Sequence, residues 1–193
     1  MLLIGKGTSV AINAETTYRT NRFQEEALPH MDSVYRCALH MAKNESDARD
    51  LVQETYLRAY RFFDKFKDGT NCRAWLIKIL RNSFINTIRR AGKHQQMVYI
   101  SEREEHGIGL LGDDDPETNV FANLFDDDIT AAMDSLPIHY RTTVLLADVE
   151  GFSYREIAEI IDCPIGTVMS RLSRGRQLLR ERLHDYAVRH GYF

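Results

Sequence analysis

The chain has 193 residues, of which 44% are hydrophobic and 27% charged, a composition typical of a globular protein with one domain or two small ones. Its net charge of −3 argues against a dedicated non-specific DNA-binding protein, because phosphate neutralisation supplies most of the affinity of that class. No apolar run approaches the ~20 residues of a membrane span, and the opening MLLIGKGTSV lacks the apolar core of a signal peptide, so we expect no membrane insertion.

Cysteine usage indicates the cellular compartment. Cys37, Cys72 and Cys163 are odd in number and far apart in sequence, which favours a reducing compartment over a disulfide framework. Together with the expected lack of a signal peptide, this predicts a cytoplasmic protein.

The first half of the chain predicts a tail and a helical domain. Residues 1–22 are polar and small without apolar periodicity, and they predict a flexible N-terminal tail. A first domain over residues 23–94 follows, in which apolar residues recur at helical spacing. Its three predicted helices span 27–43, 46–66 and 72–90. Ser46 is the predicted N-cap of the second helix, with Asp47 in its first turn.

The charge changes sign along the chain. From Lys67 to Lys93 there are seven basic residues and one acid, a net charge of +6, whereas residues 95–128 contain ten acids and one base, a net charge of −9. The acidic stretch also contains three glycines and a proline and lacks sustained apolar periodicity. It therefore predicts an acidic linker between two domains.

The second predicted domain spans residues 129–193. A short helix, a break at Leu136-Pro137 and a second helix lead to Gly151. Because no strand pattern accompanies these helices, the predicted fold class is all-α: two small helical domains joined by a flexible acidic linker.

A helix-turn-helix is predicted inside this second domain. Ser153 and Glu156 have capping-box spacing and begin a short helix that extends to about Ile161. A tight turn separates this helix from a longer one that begins at Ile165. Two helices joined in this way are typical of DNA-binding proteins.

The longer helix has two different faces. The predicted core stripe is Ile165, Val168, Leu172, Gly175, Leu179, Leu183 and Tyr186. The opposite face carries Thr167, Ser170, Arg171 and Arg174. Hydroxyl and guanidinium groups at these positions can reach phosphates and base edges in a major groove. The alternative is a solvated amphipathic helix whose arginines serve solubility.

The helix over residues 72–90 also has an apolar and a polar face. Its predicted buried residues are Leu76, Ile79, Leu80 and Phe84. The other face carries Lys78, Asn82, Asn86 and Arg89. Asparagine is a mediocre helix former whose amide both donates and accepts, so this face favours hydrogen bonding to bases. A plain exposed polar face is the alternative.

The helix over residues 46–66 predicts a protein-binding face. Its predicted core side is Leu51, Val52, Thr55, Ala59 and Phe62. Its far side is Asp50, Gln53, Glu54, Leu57 and Arg61. An apolar centre with a polar rim suits a protein interface, although a single exposed leucine is also common on ordinary surfaces.

No catalytic or metal-binding constellation is visible in the sequence. Nothing combines a nucleophile, a base and an orienting group, so we expect no enzymatic activity. Cys37 and His40 lie one helical turn apart, but a structural zinc needs two more ligands. The aspartate runs at 113–115 and 126–128 lack a regular oxygen-ligand spacing. We therefore expect neither a metal nor another cofactor.

Two separated motif sets resemble one protein family. DARDLVQETYLRAYRFFDKF followed by RAWLIKILRNSFINTIRR is similar to the first domain of extracytoplasmic-function (ECF) sigma factors, the small promoter-recognition subunits of bacterial RNA polymerase. LPIHYRTTVLLADVEGFSYREIAEIIDCPIGTVMSRLSRGRQLLRERL is similar to their second domain. The resemblance covers residues 23–184. It implies a sigma factor that directs core RNA polymerase to specific promoters and helps to melt them, in a stress response.

The resemblance also implies partners and site residues. The first domain of the family binds the polymerase clamp and the minus-ten element, and the second binds the flap and the minus-thirty-five element. The implied clamp-binding residues are Asp50, Gln53, Glu54, Leu57 and Arg61. The implied minus-ten residues are Phe66, Lys67, Arg73, Lys78, Asn82, Asn86 and Arg89. The implied minus-thirty-five residues are Ser153, Tyr154, Thr167, Ser170, Arg171 and Arg174.

Finer expectations follow from the same resemblance. Asn82 would read a base flipped from the non-template strand, and the loop from Lys67 to Arg73, with Phe66 beside it, would form the pocket for that base. Trp75 matches the packing tryptophan of the family, whereas Cys72 stands where relatives often carry an apolar or aromatic residue. The GTN that precedes Cys72 resembles members controlled by redox-sensing zinc anti-sigma factors, so an anti-sigma partner is expected.

Two other functions are alternatives at this point. One is a free-standing helix-turn-helix regulator whose first domain senses a signal or dimerises, which co-purification with core RNA polymerase would distinguish. The other is a small hydrolase that uses the aspartate clusters with a metal, which metal analysis and a nuclease assay would detect.

Overall fold

The computed structural model describes residues 7–90 and 127–192, and within these ranges all regular structure is helical. The helices are α1 (Gly7–Ala27), α2 (Met31–Ala42), α3 (Glu45–Arg61), α4 (Cys72–Arg90), α5 (Asp127–Asp134), α6 (Ile138–Val144), α7 (Tyr154–Ile161), α8 (Ile165–Arg182) and α9 (His184–Arg189). The predicted all-α fold class is confirmed. Among the helices of these ranges, none is both long and apolar enough to cross a membrane.

The linker prediction falls mostly on residues that the structure does not describe. Residues 95–126 lie outside the described ranges. The last two residues of the predicted linker belong to a helix, because α5 begins at Asp127. Asp127 and Asp128 occupy its first turn, where carboxylates interact favourably with the helix dipole.

In the first domain, α2, α3 and α4 pack against one another. The predicted helix over residues 27–43 begins only at Met31, after a 3-10 turn at Leu28–His30 that contains Pro29. Asn44, rather than the predicted Ser46, is the N-cap of α3, and its side chain accepts a hydrogen bond from Asp47 N at 2.8 Å. The cap falls there because Asn44 is the last residue with extended backbone before the helix.

The structure differs from the predicted flexible tail, since residues 7–22 belong to α1. An Arg19 Nη2 donates to the carbonyl oxygen of Tyr60 at 2.5 Å, and Arg22 forms an ion pair with Asp68. Phe23 packs edge-to-face on Phe63, with ring centroids 5.1 Å apart. The sequence pattern missed this helix because arginines and one aromatic ring attach it, rather than a periodic apolar stripe.

Two predicted core residues are exposed in the structure. Phe62 is 44% exposed because it follows the last residue of α3 and leaves the helical spacing of the core stripe. Ile165 is 46% exposed because it is the first residue of α8, before that helix reaches the core.

The second domain contains the predicted helix-turn-helix. Ser153 and Glu156 form a capping box at the start of α7, as the spacing predicted. Asp162 ends α7 with a left-handed backbone (φ 55), and α8 starts after Pro164. The core stripe of α8 is buried at Val168 and Leu172. The helix ends before Leu183, so Tyr186 belongs to the separate helix α9.

Close packing of α8 on α6 depends on Gly175. A Cβ atom at this position would lie 2.7 Å from Val144 Cγ2, closer than two carbon atoms can pack. We expect Gly175→Ala to lower the free energy of unfolding by about 1 kcal/mol, because overpacking costs ~1–3 kcal/mol while alanine returns ~1 kcal/mol of helix propensity.

Urea unfolding of Gly175→Ala in two backgrounds tests this packing. In a Val144→Ala background the clashing Cγ2 atom is missing, so the same glycine substitution is expected to be neutral or stabilising. An equal loss of stability in both backgrounds would contradict the close contact.

Candidate nucleic-acid interface

The outer face of α4 presents polar groups to solvent from a rigid helix. The inner face is anchored by the fully buried Leu76, Ile77 and Leu80. On the outer face Lys78 and Asn82 are exposed and Asn86 is half-buried, and the side chain of Arg89 lies outside the described residues. Asn82 Oδ1 accepts a long hydrogen bond of 3.5 Å from Arg81 Nη1. The described side chains of this face are thus accessible at the surface, and their contact with a nucleic-acid strand stays a prediction.

The loop before α4 is held by its own hydrogen bonds. Thr70 Oγ1 donates to the carbonyl oxygen of Lys67 at 2.6 Å, and Gly69 supplies the left-handed backbone (φ +75) that the turn requires. Asn71 accepts a hydrogen bond from Ala74 N at 3.1 Å and thereby caps α4. Lys67 is exposed at the start of this loop.

Phe66 was expected beside that loop as part of the pocket for the base, but the structure buries it. Its side chain is buried, stacked on Phe63 with a centroid distance of 5.7 Å and tilted against Trp75 at 5.2 Å. The ring is drawn inward because three aromatic side chains pack together beneath the loop. Phe66 therefore supports the loop from below, and Trp75 has the packing role that the resemblance implied.

Arg73 is engaged by the second domain instead of facing outward. Arg73 Nη2 donates to the carbonyl oxygen of Glu150 at 2.9 Å, and the Arg73 guanidinium lies 4.2 Å from the centroid of the Phe152 ring. The sequence did not identify Glu150 or Phe152 as partners of this segment, since both lie more than 70 residues away. No local pattern carries a signal for such a contact.

The exposed side of α3 matches the predicted protein-binding face. All five residues predicted for that face are exposed: Asp50, Gln53, Glu54, Leu57 and Arg61. Leu57 is 61% exposed, and Glu54 pairs with Arg58 on the same helix. An apolar side chain is thus surrounded by charged ones on a helix whose opposite side is buried at Leu51, Thr55 and Ala59.

The first turns of α8 present the predicted recognition residues. Ser170 and Arg174 are exposed, whereas Thr167 and Arg171 are half-buried. Ser170 Oγ donates to the carbonyl oxygen of Thr167 at 3.0 Å. Arg176, by contrast, is paired with Asp148 through two hydrogen bonds of 3.0 and 2.6 Å.

The residues before α7 differ in how available they are. The Ser153 hydroxyl is occupied by the capping box, donating to Glu156 Oε2 at 2.7 Å and accepting from Glu156 N at 3.3 Å. Tyr154 is 40% exposed next to it.

His139 on α6 lies near Arg171 of α8. Burial, with a smaller contribution from Arg171, lowers the pKa of His139 to about 4. The imidazole is therefore neutral at physiological pH, and the positive charge near it comes from the arginine.

The three cysteines are unpaired thiols in the structure. Cys72 is buried at the start of α4, and burial raises the pKa of its thiol to about 11. Within residues 7–90 and 127–192 no three His, Cys, Asp or Glu side chains cluster as a metal site would require. The aspartates at 113–115 lie outside the described residues.

Comparison with known proteins connects these faces to one family. The family model described as Sigma-70 region 2 matches residues 28–94, and the model described as Sigma-70, region 4 matches residues 126–179. The ECF RNA polymerase sigma factor SigE of Mycolicibacterium smegmatis is 38% identical over 161 residues, which are 83% of this chain but only 60% of that protein. The ECF RNA polymerase sigma factor EcfG of Rhodopseudomonas palustris is 33% identical, over 86% of this chain and 87% of that protein.

A solved structure supports the same relationship. The sigma factor RpoE from Bartonella quintana, determined in complex with the anti-sigma factor NepR, is 31% identical to this chain. It superposes with a TM-score of 0.65 over 84% of this chain and 97% of that one.

Proposed function

We propose, because this chain belongs to the family of ECF RNA polymerase sigma factors, that it binds core RNA polymerase, directs the enzyme to specific promoters and promotes their melting. It is then a transcription initiation factor and catalyses no reaction itself. As a polymerase subunit it acts in the cytoplasm, where the core enzyme is. The stress response expected from the sequence is part of this proposal.

The observation that supports it most strongly is the pair of DNA-reading faces on two separate helices. The α4 face offers exposed Lys78 and Asn82, and the first turns of α8 offer Ser170, Arg171 and Arg174. Both faces fall within the segments that match the sigma family models. We assign the α4 face to the minus-ten element and the α8 face to the minus-thirty-five element.

The exposed side of α3 is assigned to the polymerase clamp. Asp50, Gln53 and Glu54 form its polar part, and Leu57 is its apolar centre. A sigma factor held by a larger enzyme does not need a strongly basic total charge, since the polymerase contributes binding of its own. The net charge of −3 is consistent with this arrangement.

Run-off transcription with purified core RNA polymerase on a promoter library tests the proposal. A promoter-specific product that depends on this protein is the expected result. Failure to co-purify with core polymerase, together with independent binding to duplex DNA, would instead favour the free-standing regulator.

Arg171→Ala tests the assignment of α8. If Arg171 reads a base edge, its loss is expected to weaken duplex binding by the holoenzyme by about 1–3 kcal/mol and to relax specificity at one position of the minus-thirty-five element. Binding titrations on a set of single-base variants measure this. Uniform weakening on every sequence would reassign Arg171 to a phosphate contact.

An anti-sigma factor is a further proposed partner. The structural relative from Bartonella quintana was determined with such a protein, which supports this expectation. The segment Gly69-Thr70-Asn71 favours the narrower hypothesis of a redox-sensing zinc anti-sigma factor. Zinc content and oxidant sensitivity of the purified complex would test it.

A further inference from the structure

Glu150 is an acidic side chain buried between the two domains. Its side chain has no exposed surface, although Glu150 directly follows Leu145–Val149, a π-helical segment that continues α6. Its carboxylate accepts hydrogen bonds from Ser33 Oγ at 2.5 Å and from Arg36 Nε at 2.9 Å, both on α2. Arg73 Nη1 lies 3.7 Å from the same carboxylate. A buried charge needs such partners, and all three come from the first domain.

A second acidic residue extends the contact to the neighbouring loop. Asn71 Nδ2 donates to Glu156 Oε1 at 2.7 Å. Between the two acids, the Arg73 guanidinium covers the ring of Phe152, which is itself buried. The second domain thus occupies the amide and guanidinium groups at the start of α4.

These donors belong to the segment that the proposed function assigns to the minus-ten element. Guanidinium and amide groups that bind carboxylates are the same groups that bind phosphates and base edges. Glu150 and Glu156 therefore stand where an anionic strand of DNA would have to approach Arg73 and Asn71. In this conformation the loop cannot close around a flipped base.

The distance between promoter elements leads to the same conclusion. Elements centred about 25 base pairs apart are separated by ~85 Å along B-form DNA. In the structure α4 packs directly against α7, the first helix of the helix-turn-helix. One chain cannot contact both elements while these two helices touch, so the domains must separate before the promoter is bound.

We infer that Glu150, assisted by Glu156, is a latch that holds the second domain over the minus-ten edge of the first domain in the free chain. This inference rests on the proposed function. The first-domain residues of these contacts lie on α2 and at the start of α4, not on α3, and Leu57 is 61% exposed, so the closed chain keeps its clamp-binding face available while its DNA-reading edge is covered. The latch therefore separates binding of polymerase from binding of DNA.

Glu150→Gln tests the latch, because it keeps the shape of the side chain and removes the charge that three first-domain residues share. Glu181→Gln is the matched control, since it removes one negative charge from an exposed position in the same domain whose hydrogen-bond partner is Gln177 on the same helix. Small-angle X-ray scattering of the full chain, without polymerase or DNA, is expected to show a larger radius of gyration for Glu150→Gln alone.

A binding measurement connects opening to DNA. If only a small fraction of the free protein molecules has the open conformation that can bind DNA, the apparent affinity of the protein for DNA is reduced by that fraction. Glu150→Gln is thus expected to bind a fluorescent single-stranded oligonucleotide of the minus-ten non-template sequence about tenfold more tightly than the wild type, with Glu181→Gln within about twofold of it.

Ser33→Ala is a second variant that tests whether opening in Glu150→Gln is only a folding defect. It removes one hydrogen bond of the latch from the first-domain side and leaves Glu150 in place. It is expected to open the chain in the same direction but less, and circular dichroism should show unchanged helix content. Equal radii for wild type, Glu150→Gln and Ser33→Ala would overturn the latch, as would opening without tighter DNA binding. A latch that opens as expected while the wild type fails to support transcription with core polymerase would refute the proposed function instead.

Discussion

Transcription by holoenzyme carrying Asn82→Ala is expected to fall on duplex promoters and to recover on a template with a pre-melted bubble. Asn82 is exposed on α4 and offers an amide that can reach a base only after the base has left the stack. Unstacking costs a few kcal/mol, which binding in the pocket must offset. Loss of the amide is expected to cost about 1–3 kcal/mol, or roughly 5- to 150-fold in open-complex formation on duplex DNA.

The measurement compares duplex and bubble templates that carry each of the four bases at the position read. With Asn82→Ala, initiation on the bubble should recover while discrimination among the four bases is lost, and assembly with core polymerase should be unchanged. Lys78→Ala on the same face is the comparison, because a phosphate contact gives a salt-sensitive defect with little change in base preference. Unchanged base preference in Asn82→Ala would leave this face as a track for the DNA backbone.

Binding to core RNA polymerase is expected to weaken by 30-fold or more with Leu57→Asp, since truncation or charging of an interface centre typically costs ~2 kcal/mol or more. Leu57 is 61% exposed on α3, so the substitution removes no core packing. The free energy of unfolding of the free protein should therefore stay within about 0.5 kcal/mol of the wild type. Gln53→Ala on the same side is expected to give a smaller loss of binding.

Val188→Asp provides the matched control for this prediction. Val188 is 56% exposed on α9 of the second domain, away from the clamp-binding residues on α3, so the same charge there should leave binding to the polymerase clamp unchanged. Affinity titrations with labelled protein measure both variants. A loss of helix content in Leu57→Asp would show that the leucine belongs to the core, and equal effects of both variants would remove the clamp assignment.

Local sequence was sufficient for much of the fold and for part of the site. The bounds of α4, the capping box at Ser153 and Glu156, and the helix-turn-helix follow from spacings of three or four residues, which helix geometry converts directly into neighbours. The outward direction of Leu57 and Asn82 follows in the same way, since each lies opposite a buried stripe.

Two expectations differ from the structure, each for its own physical reason. The family resemblance placed Phe66 beside the DNA pocket, but its ring is drawn into an aromatic cluster with Phe63 and Trp75. Residues 7–22 of α1 were predicted as part of a tail, because their attachment depends on contacts such as that of Arg19 with the carbonyl oxygen of Tyr60, 41 residues away. Contacts across such separations leave no periodic trace in the sequence.

Neighbours within one helical turn thus decided the helices, their caps and the direction in which each polar face points. The burial of Glu150 depended on Ser33, 117 residues distant in the chain, and on two arginines of the other domain. Before the domains meet, this carboxylate is indistinguishable from a solvated acid at a helix end. Only the tertiary structure takes the Glu150 carboxylate out of contact with water. It then needs its hydrogen-bond and ion-pair partners, because an unpaired charge costs much free energy in a buried site and almost none on a surface.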